Sequence, residues 1–257
     1  LDIVTQLKKY NVASVNAEIV DPEITKILLT SNIKYDEKAT TKTANTLKSD
    51  VTTTITNYNT NTLSQFDGVF RFSKLSSLID ATDNSILSNI TTLKIRKDFT
   101  PTLGSSTKYN VYFRNALYNP HSGHNSSAGG ILESSGFKIS GDSSTVFYLD
   151  DDGQGNVRRY SFSGATRVYA NETQGTIDYS TGAITINSLS VLSVENIRGA
   201  ASTKIELTVK PNSNDVTPVR DQILEIDTAN SSITVTADTF VGGSADAGVG
   251  YTTTSSY

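Results

Sequence analysis

The stretch NPHSGHNSSAGG, residues 119–130, holds both histidines of the chain, His121 and His124. Two imidazoles with the spacing H-x-x-H can ligate one metal ion, but zinc sites normally take a third and often a fourth protein ligand. The chain has no further histidine and no cysteine, so Glu133 or a distant carboxylate would have to complete the site. We therefore predict no metal site here and interpret the stretch as a polar loop.

Serines beside these histidines, Ser122, Ser126 and Ser127, raise a second chemistry, that of a nucleophile with its base. The run Asn-Ser-Ser-Ala-Gly around Ser127 lacks the first glycine of a nucleophile elbow. Nothing in the sequence indicates a carboxylate that would orient either imidazole, as a catalytic triad requires. Pro120 and the neighbouring glycines favour a loop between strands.

Three consecutive aspartates begin at Asp150 and are followed by glycines, which suggests a calcium loop. Counting Asp150 as position 1 of an EF-hand places Asp152 at position 3 and Gly155 at position 6. The match fails at position 5, which is Gln154, and at position 12, where Ser161 stands instead of a bidentate glutamate. A looser β-loop calcium site is the alternative, but we predict a solvated hairpin turn.

A further carboxylate pair, Glu225 and Asp227, lies two residues apart on a predicted strand, so both side chains should share one face. A glycosidase pair usually flanks its sugar from separate elements, and we interpret this pair as the solvated face of an amphipathic strand. The sequence also lacks a P-loop, a dinucleotide fingerprint, a zincin motif and a kinase motif set. We predict no catalytic residue, no cofactor and no small-molecule substrate, and hence no enzyme.

The charge pattern excludes two further classes of partner. The net charge of −4 and the absence of a polybasic run give no electrostatic footprint for nucleic acid or for a membrane surface. No apolar run approaches the roughly 18 residues that a membrane-spanning helix needs. The chain contains no methionine and begins with Leu1, so we expect it to be part of a longer protein with a segment upstream.

Residues 1–100 mix the periods of strands and helices, which predicts an α+β domain. The opening LDIVTQLKKYNVA is interpreted as a helix end that runs into a strand. Val15–Val20 and Ile24–Tyr35 are rich in β-branched residues, as strands are. Apolar residues then recur at helical spacing and predict a helix with one buried face, made of Ala44, Leu47, Val51, Ile55 and Tyr58.

The same region ends with a second predicted helix and a strand. Ser73 is a plausible N-cap of the helix SKLSSLID, whose buried face should contain Leu75, Leu78 and Ile79. Residues Ser85–Lys97 return to strand composition.

From about residue 101 the helical period disappears, which predicts a mainly antiparallel β domain over residues 101–240. The run TVFYLDDDGQGNVRRYSF has strand composition on both sides of an Asp/Gly turn, a β-hairpin signal. A second hairpin is predicted in GTIDYSTGAITINSL, with Gly182 in its turn. TKIELTVK, QILEID and SSITVTAD predict three more strands. Residues 241–257 are small and polar, and we expect a flexible or partner-ordered tail.

Several aromatic residues lie close together just before the histidine loop: Tyr109, Tyr112, Phe113 and Tyr118. Tyrosine is enriched at the cores of protein interfaces. We hypothesise that this segment contributes to a subunit contact. The alternative is that Tyr109, Val111 and Phe113 alternate onto the core face of their own sheet.

The order of segments resembles a known family. In the first region VNAEIVDPEI and ILLTSNIKY precede the helical TLKSDVTTTITNYNTNTL and the run FDGVFRFSKLSSLIDATDNSILSNI, and this order resembles the baseplate J-like family of contractile tails. In the second region come FYLDDDGQGNVRRYSF, GTIDYSTGAITINSL and PVRDQILEID. Together, over residues 10–238, they resemble the carboxy-terminal half of the inner-ring baseplate wedge subunit of T-even-like phages.

The resemblance implies a structural subunit of the virion, assembled in the host cytoplasm and located in the tail baseplate. Such subunits associate with copies of themselves, as a homodimer or ring, and with other wedge proteins. They join wedges into the inner ring and take part in the change that triggers sheath contraction. Two other functions are weighed: a glycan- or receptor-binding tail adhesin, disfavoured because the chain has no tryptophan, and a tail-associated hydrolase, disfavoured because no catalytic motif is found.

Overall fold

A computed structural model describes residues 22–125, 130–219 and 221–238, together with Gln6 and Lys9. The strands predicted at Val15–Val20, the helix end before them and the expected tail at 241–257 lie outside the described residues. Across the described residues the fold is α+β with strands predominating, as expected from the mixed periods. No helix in this part of the chain is long and apolar enough to cross a membrane.

Two α-helices occur in the described ranges, α1 (Ala44–Tyr58) and α2 (Phe72–Asp80), with a π-helical turn at Asn59–Leu63. The strands are β1 Glu23–Tyr35, β2 Ile86–Phe99, β3 Thr107–Tyr112, β4 Glu133–Ser134, β5 Phe137–Ile139, β6 Asp142–Asp151, β7 Asn156–Ser163, β8 Thr166–Asp178, β9 Ala183–Leu189, β10 Val191–Val194, β11 Ile205–Val209, β12 Gln222–Ile226 and β13 Ser232–Ala237.

Helix α1 has the predicted apolar stripe. Its buried residues are Leu47, Val51, Ile55 and Tyr58, while Ala44 is partly buried against the same core. Thr43 caps the helix, since its side-chain oxygen accepts a hydrogen bond from the backbone N–H of Thr46. The threonine hydroxyls on the outer face, those of Thr52, Thr53, Thr54 and Thr56, donate to carbonyls one turn earlier, so these poor helix formers are still satisfied in the helix.

The beginning of helix α2 differs from the prediction. Ser73 lies inside the helix, and the preceding residue, Arg71, provides no side-chain cap. Instead the carboxylate of Asp215 accepts a hydrogen bond from the backbone N–H of Phe72 at 2.9 Å. A cap from a residue this distant in sequence satisfies a free N–H and complements the helix dipole, but it leaves no local signal.

The buried face of helix α2 is also narrower than predicted. Leu75 and Ile79 are buried, but Leu78 is exposed. A helix of nine residues that packs on one side buries only the positions four apart that face the sheet.

The first sheet has the order β12–β1–β2–β11–β4, and β13 also pairs with β1. Strand β1 is long enough to pair in parallel with β12 along its first half and with β13 along its second half. On its other side β1 pairs antiparallel with β2, and β2 with β11. The helices cover one face of this sheet, where alternate residues of β1 are buried.

The second sheet is antiparallel, in the order β10–β5–β6–β7–β8–β9–β3. Both predicted hairpins are present, as β6–β7 and β8–β9, and Gly182 has the positive φ of 71° expected in the second turn. A single cluster of buried hydrophobic residues includes members of both sheets and both helices.

The predicted division at residue 100 does not coincide with the division between the sheets. Strands β11, β12 and β13 follow residue 200, yet they pair with β1 and β2 in the first sheet. All three were predicted as strands, but nothing in their local pattern indicates a partner more than a hundred residues away. Parallel pairing of β1 with β12 and β13 needs a crossover of at least about a dozen residues, so no hairpin signal could have indicated it.

Candidate functional site

The aromatic residues predicted to form a subunit contact do not lie in one cluster. Phe113 is fully buried in the chain's own core, so its ring contributes to folding. Tyr109 is half-buried and packs against Phe99, with 4.8 Å between the ring centroids. The alternation onto the core face therefore accounts for Phe113 and Val111, which is 7 % exposed.

Tyr112 points the other way and is 46 % exposed. It lines an open cavity of about 450 Å³ together with Arg114, Thr181, Ala183 and Val219, and we call these five residues the Tyr112 surface. The guanidinium carbon of Arg114 lies 5.9 Å from the centroid of the Tyr112 ring, within the range of a cation–π contact. Val219 adds a second exposed apolar side chain.

The backbone beneath this surface is anchored by a buried lysine. The ammonium of Lys97, on β2, donates a hydrogen bond to the carbonyl of Tyr112 and contacts the carboxylate of Glu23. Burial lowers the pKa of Lys97, and the contact with Glu23 opposes that shift. Tyr112 is therefore presented on a backbone that is tied to both β1 and β2.

Tyr118 is half-buried and lies beside the histidine loop. Its ring makes a T-shaped contact with His124, with 5.4 Å between centroids, and the ammonium of Lys210 lies 3.8 Å from its centroid. His121 and His124 are exposed, and Nδ1 of His124 lies 3.1 Å from Nε2 of His121. Ser126 and Ser127 lie outside the described residues.

The interpretation of the aspartate run as a solvated turn is wrong for its first two residues. Asp150 is completely buried and accepts hydrogen bonds from both Arg158 and Arg167, and from the hydroxyl of Tyr169. A buried carboxylate needs such partners, and the two guanidinium groups neutralise it. Asp152 alone forms the turn, where it accepts the backbone N–H of Gln154 and of Asn156.

Asp151 is also completely buried, on the opposite face of β6 from Asp150. Its carboxylate accepts the backbone N–H groups of Ile131 and Leu132 and the hydroxyl of Tyr179, at 2.7, 2.8 and 2.6 Å. Burial raises the pKa of Asp151, and these hydrogen bonds oppose that shift. The aspartates therefore hold loops and strands together, and no metal-binding group of three or more His, Cys, Asp or Glu occurs in the described ranges.

The prediction of a solvated face at Glu225 and Asp227 is likewise wrong for Asp227. Its carboxylate lies 2.9 Å from Nη2 of Arg96, and the two side chains are 7 % and 3 % exposed. Asp98 and Glu206 approach the same guanidinium at 3.2 and 3.3 Å. Burial by itself would raise the pKa of Asp227. The hydrogen bonds from Asn230 and the positive charge of Arg96 outweigh burial, so the pKa is lowered. Glu225 is half-buried.

Sequence analysis missed an aromatic row across the second sheet. Tyr148 on β6 stacks with Tyr160 on β7 at 5.7 Å between centroids, and Phe162 lies 5.4 Å from both. The guanidinium of Arg167 lies 4.6 Å from the Tyr160 centroid. Phe162 is 50 % exposed. The period of two between Tyr160 and Phe162 was the available signal, but the matching of Tyr148 to this face depends on the hairpin register.

Comparison with known protein families gives a match to part of the chain. Residues 25–98, which run from the third residue of β1 through helices α1 and α2 almost to the end of β2, match the family described as baseplate structural protein gp6, C-terminal domain III. No curated protein matches the chain. The matched family is one of structural proteins and is not an enzyme family. The match supports a structural component of a phage baseplate, located in the virion tail and associated with other baseplate components.

Proposed function

We propose that the chain is a structural subunit of the baseplate wedge of a contractile phage tail. In this role it associates with copies of itself, as a homodimer or ring, and with other wedge proteins, and it is assembled in the host cytoplasm. The association joins wedges into the inner baseplate ring and transmits the change that triggers sheath contraction. The observation that carries the proposal is the match of residues 25–98 to a baseplate structural protein.

The integration of the matched segment with the rest of the chain supports a role in transmission. Strand β1 of that segment is paired along most of its length by β12 and β13 from the C-terminal part of the described chain. Because packed protein interiors deform little, a displacement of the matched segment should be transmitted through these hydrogen-bonded strands to the C-terminal part.

The Tyr112 surface is the proposed self-contact. Tyrosine and arginine are the side chains that most often dominate binding energy, together with tryptophan, and Tyr112 and Arg114 lie side by side here. Their neighbours Ala183 and Val219 supply apolar area without charge. Phe113 is buried, Tyr109 and Tyr118 are half-buried, and none of the three lines the Tyr112 surface.

Sedimentation velocity across a concentration series tests the self-contact. The wild-type chain should form a dimer or larger species, and Tyr112→Ala should weaken that association at least about tenfold, as loss of an interface hot spot does. Phe162→Ala is the matched control, because Phe162 is similarly exposed but lies on the aromatic row and not on the Tyr112 surface. A wild-type chain that stays monomeric at every concentration would contradict self-association, and equal association by the Tyr112→Ala variant would exclude this surface.

The location is tested on phage particles that carry the chain. Gold-labelled antibodies against the purified chain should bind at the baseplate end of the tail in electron micrographs. Label on the tail fibres alone would contradict the proposal and would favour an adhesin.

The adhesin alternative gains one observation from the structure, the row of Tyr148, Tyr160 and the exposed Phe162 beside Arg167. An exposed aromatic ring such as that of Phe162 can stack against a sugar ring. A glycan array probed with the wild-type chain and with Phe162→Ala distinguishes the two functions, because an adhesin should bind a defined glycan and lose it in the variant.

A further inference from the structure

The imidazoles of His121 and His124 face each other on the exposed loop that follows Tyr118. The rings stand at 85° with 4.7 Å between centroids, and the facing atoms are Nε2 of His121 and Nδ1 of His124, 3.1 Å apart. We propose that these two nitrogens bind a divalent first-row transition metal ion of the Zn²⁺ or Ni²⁺ type. This inference does not depend on the proposed baseplate role.

The separation of the nitrogens fits shared ligation. With zinc–nitrogen distances of about 2.0–2.1 Å, two ligands 3.1 Å apart subtend an angle of about 100° at the metal. That angle lies between those of octahedral and tetrahedral coordination. Imidazole is a ligand that suits zinc, copper and nickel, and each ring must present a deprotonated nitrogen.

The second nitrogen of His121 has a partner that favours this protonation state. Nδ1 of His121 lies 3.3 Å from the carbonyl oxygen of Ser122, which can only accept a hydrogen bond. A proton held on Nδ1 leaves Nε2 free as a ligand. Donation of the second ring N–H to a carbonyl is the usual arrangement around metal-bound histidine.

The loop itself is held in place before any ion binds. The backbone N–H of His124 donates to the carbonyl of His121 at 3.0 Å, which closes a turn around the pair. The N–H of Gly123 and the side-chain amide of Asn119 both donate to the carbonyl of Gly153, in the β6–β7 turn. Two ligands that are already fixed relative to each other cost less conformational entropy to order on binding.

The ring of His124 is fixed from a second side. Tyr118 packs against it in the T-shaped contact, and the side-chain amide of Asn125 donates to the carbonyl of Tyr118 at 2.8 Å. Within the described residues no third His, Cys, Asp or Glu joins the pair, so the protein supplies two ligands and water completes the coordination. An ion held by only two protein ligands should exchange readily with ions in solution.

The competing explanation is an N–H···N hydrogen bond between neutral imidazoles, which has a similar length. Spectroscopy separates the two explanations cleanly, because the chain has two histidines and no cysteine. Imidazole ¹H–¹⁵N correlation spectra of the tag-free chain should be recorded during titration with ZnCl₂. Both rings should respond together at a stoichiometry of one ion per chain, with the largest ¹⁵N shifts at Nε2 of His121 and Nδ1 of His124.

Calorimetric titration with ZnCl₂ gives the second readout. His121→Ala and His124→Ala should each weaken zinc binding at least about tenfold, since even loss of a supporting contact to a ligand costs 10- to 100-fold. Asp178→Asn, which changes a carboxylate on another exposed turn, should bind as the wild type does. Imidazole signals that do not move with zinc, or zinc binding that survives both histidine substitutions, would overturn the proposal and leave the hydrogen bond.

Discussion

Nη2 of Arg96 lies 2.9 Å from Oδ2 of Asp227, and this buried ion pair joins the family-matched segment to the residue directly after β12. Asp98 and Glu206 complete a ring of carboxylates around the same guanidinium. Nε and Nη1 of Arg96 contact these two carboxylates without hydrogen-bond geometry, and the contact with Asp227 is the shortest of the three. The cluster makes the stability of the first sheet depend on residues far apart in sequence.

Replacement of Arg96 by Ala should destabilise the fold by roughly 3–5 kcal/mol, because it leaves the buried carboxylate of Asp227 without its close counter-charge. Urea unfolding followed by circular dichroism measures the change. Arg71→Ala is the matched control: Arg71 also pairs with an aspartate, Asp215, at 2.8 Å, but both side chains are largely exposed. That variant should cost less than about 1 kcal/mol. Equal costs in the two variants would show that burial does not decide the strength of these pairs.

Asp150→Asn should destabilise the second sheet by a similar amount, roughly 3–5 kcal/mol, because Arg158 and Arg167 would lose the charge that compensates them. Differential scanning calorimetry gives the change in Tm. Glu133→Gln is the control, since the Glu133–Lys94 pair is exposed and should contribute less than about 1 kcal/mol. A Tm for Asp150→Asn within a degree of the wild type would mean that the buried carboxylate is not needed.

The carboxylate of Asp178 should stabilise the fold by an amount that depends on pH. Hydrogen bonds from the hydroxyls of Ser180 and Thr181 lower its pKa from 3.8 to about 2. Because the folded pKa lies below the unfolded value, the contribution is complete above about pH 4 and is lost as the pH falls towards 2. Carboxyl ¹³C chemical shifts should therefore titrate near pH 2 for this residue.

Asp178→Asn is the isosteric comparison for that titration, because an asparagine oxygen can still accept these hydrogen bonds but carries no charge. The wild type should be the more stable protein at pH 5, and the difference should shrink at pH 2.5. A carboxyl group that titrates at the ordinary aspartate value would contradict the proposed hydrogen bonding.

Local pattern predicted the elements that depend on neighbours in sequence. The stripe of helix α1 and the turn at Gly182 follow from spacing alone, and both are confirmed. The prediction of Ser73 as the N-cap of helix α2 was wrong, because Asp215 caps the helix from 143 residues away from Phe72. The sequence shows which side chains can cap a helix, but it does not show which of them arrive there by folding.

The charged residues show the same limit more clearly. Aspartate is almost always exposed unless it is paired, so an aspartate run with glycines predicts a solvated turn. Asp150 is buried instead because Arg158, Arg167 and Tyr169 bind its carboxylate. The registers of β6, β7 and β8 bring these three side chains to it. Tyr112 and Phe113 were both assigned to the hypothesised subunit contact. Neighbouring residues of a strand face opposite sides of the sheet, and the structure exposes Tyr112 but buries Phe113.

Two glycines with the same φ of 71° separate backbone strain from steric contact. At Gly104 an added Cβ meets nothing within 4 Å, so Gly104→Ala should cost only the strain of a left-handed backbone, about 1–2 kcal/mol. At Gly182 the same atom would lie 2.4 Å from the carbonyl oxygen of Asn115 and 3.1 Å from Cβ of Phe113. Gly182→Ala should therefore cost roughly a further 1–3 kcal/mol in urea unfolding, because the backbone that follows the buried Phe113 would have to move. If the two variants were equally stable, the turn at Gly182 would be free to shift away from β3, and Tyr112 would not be held in the fixed position that the proposed self-contact requires.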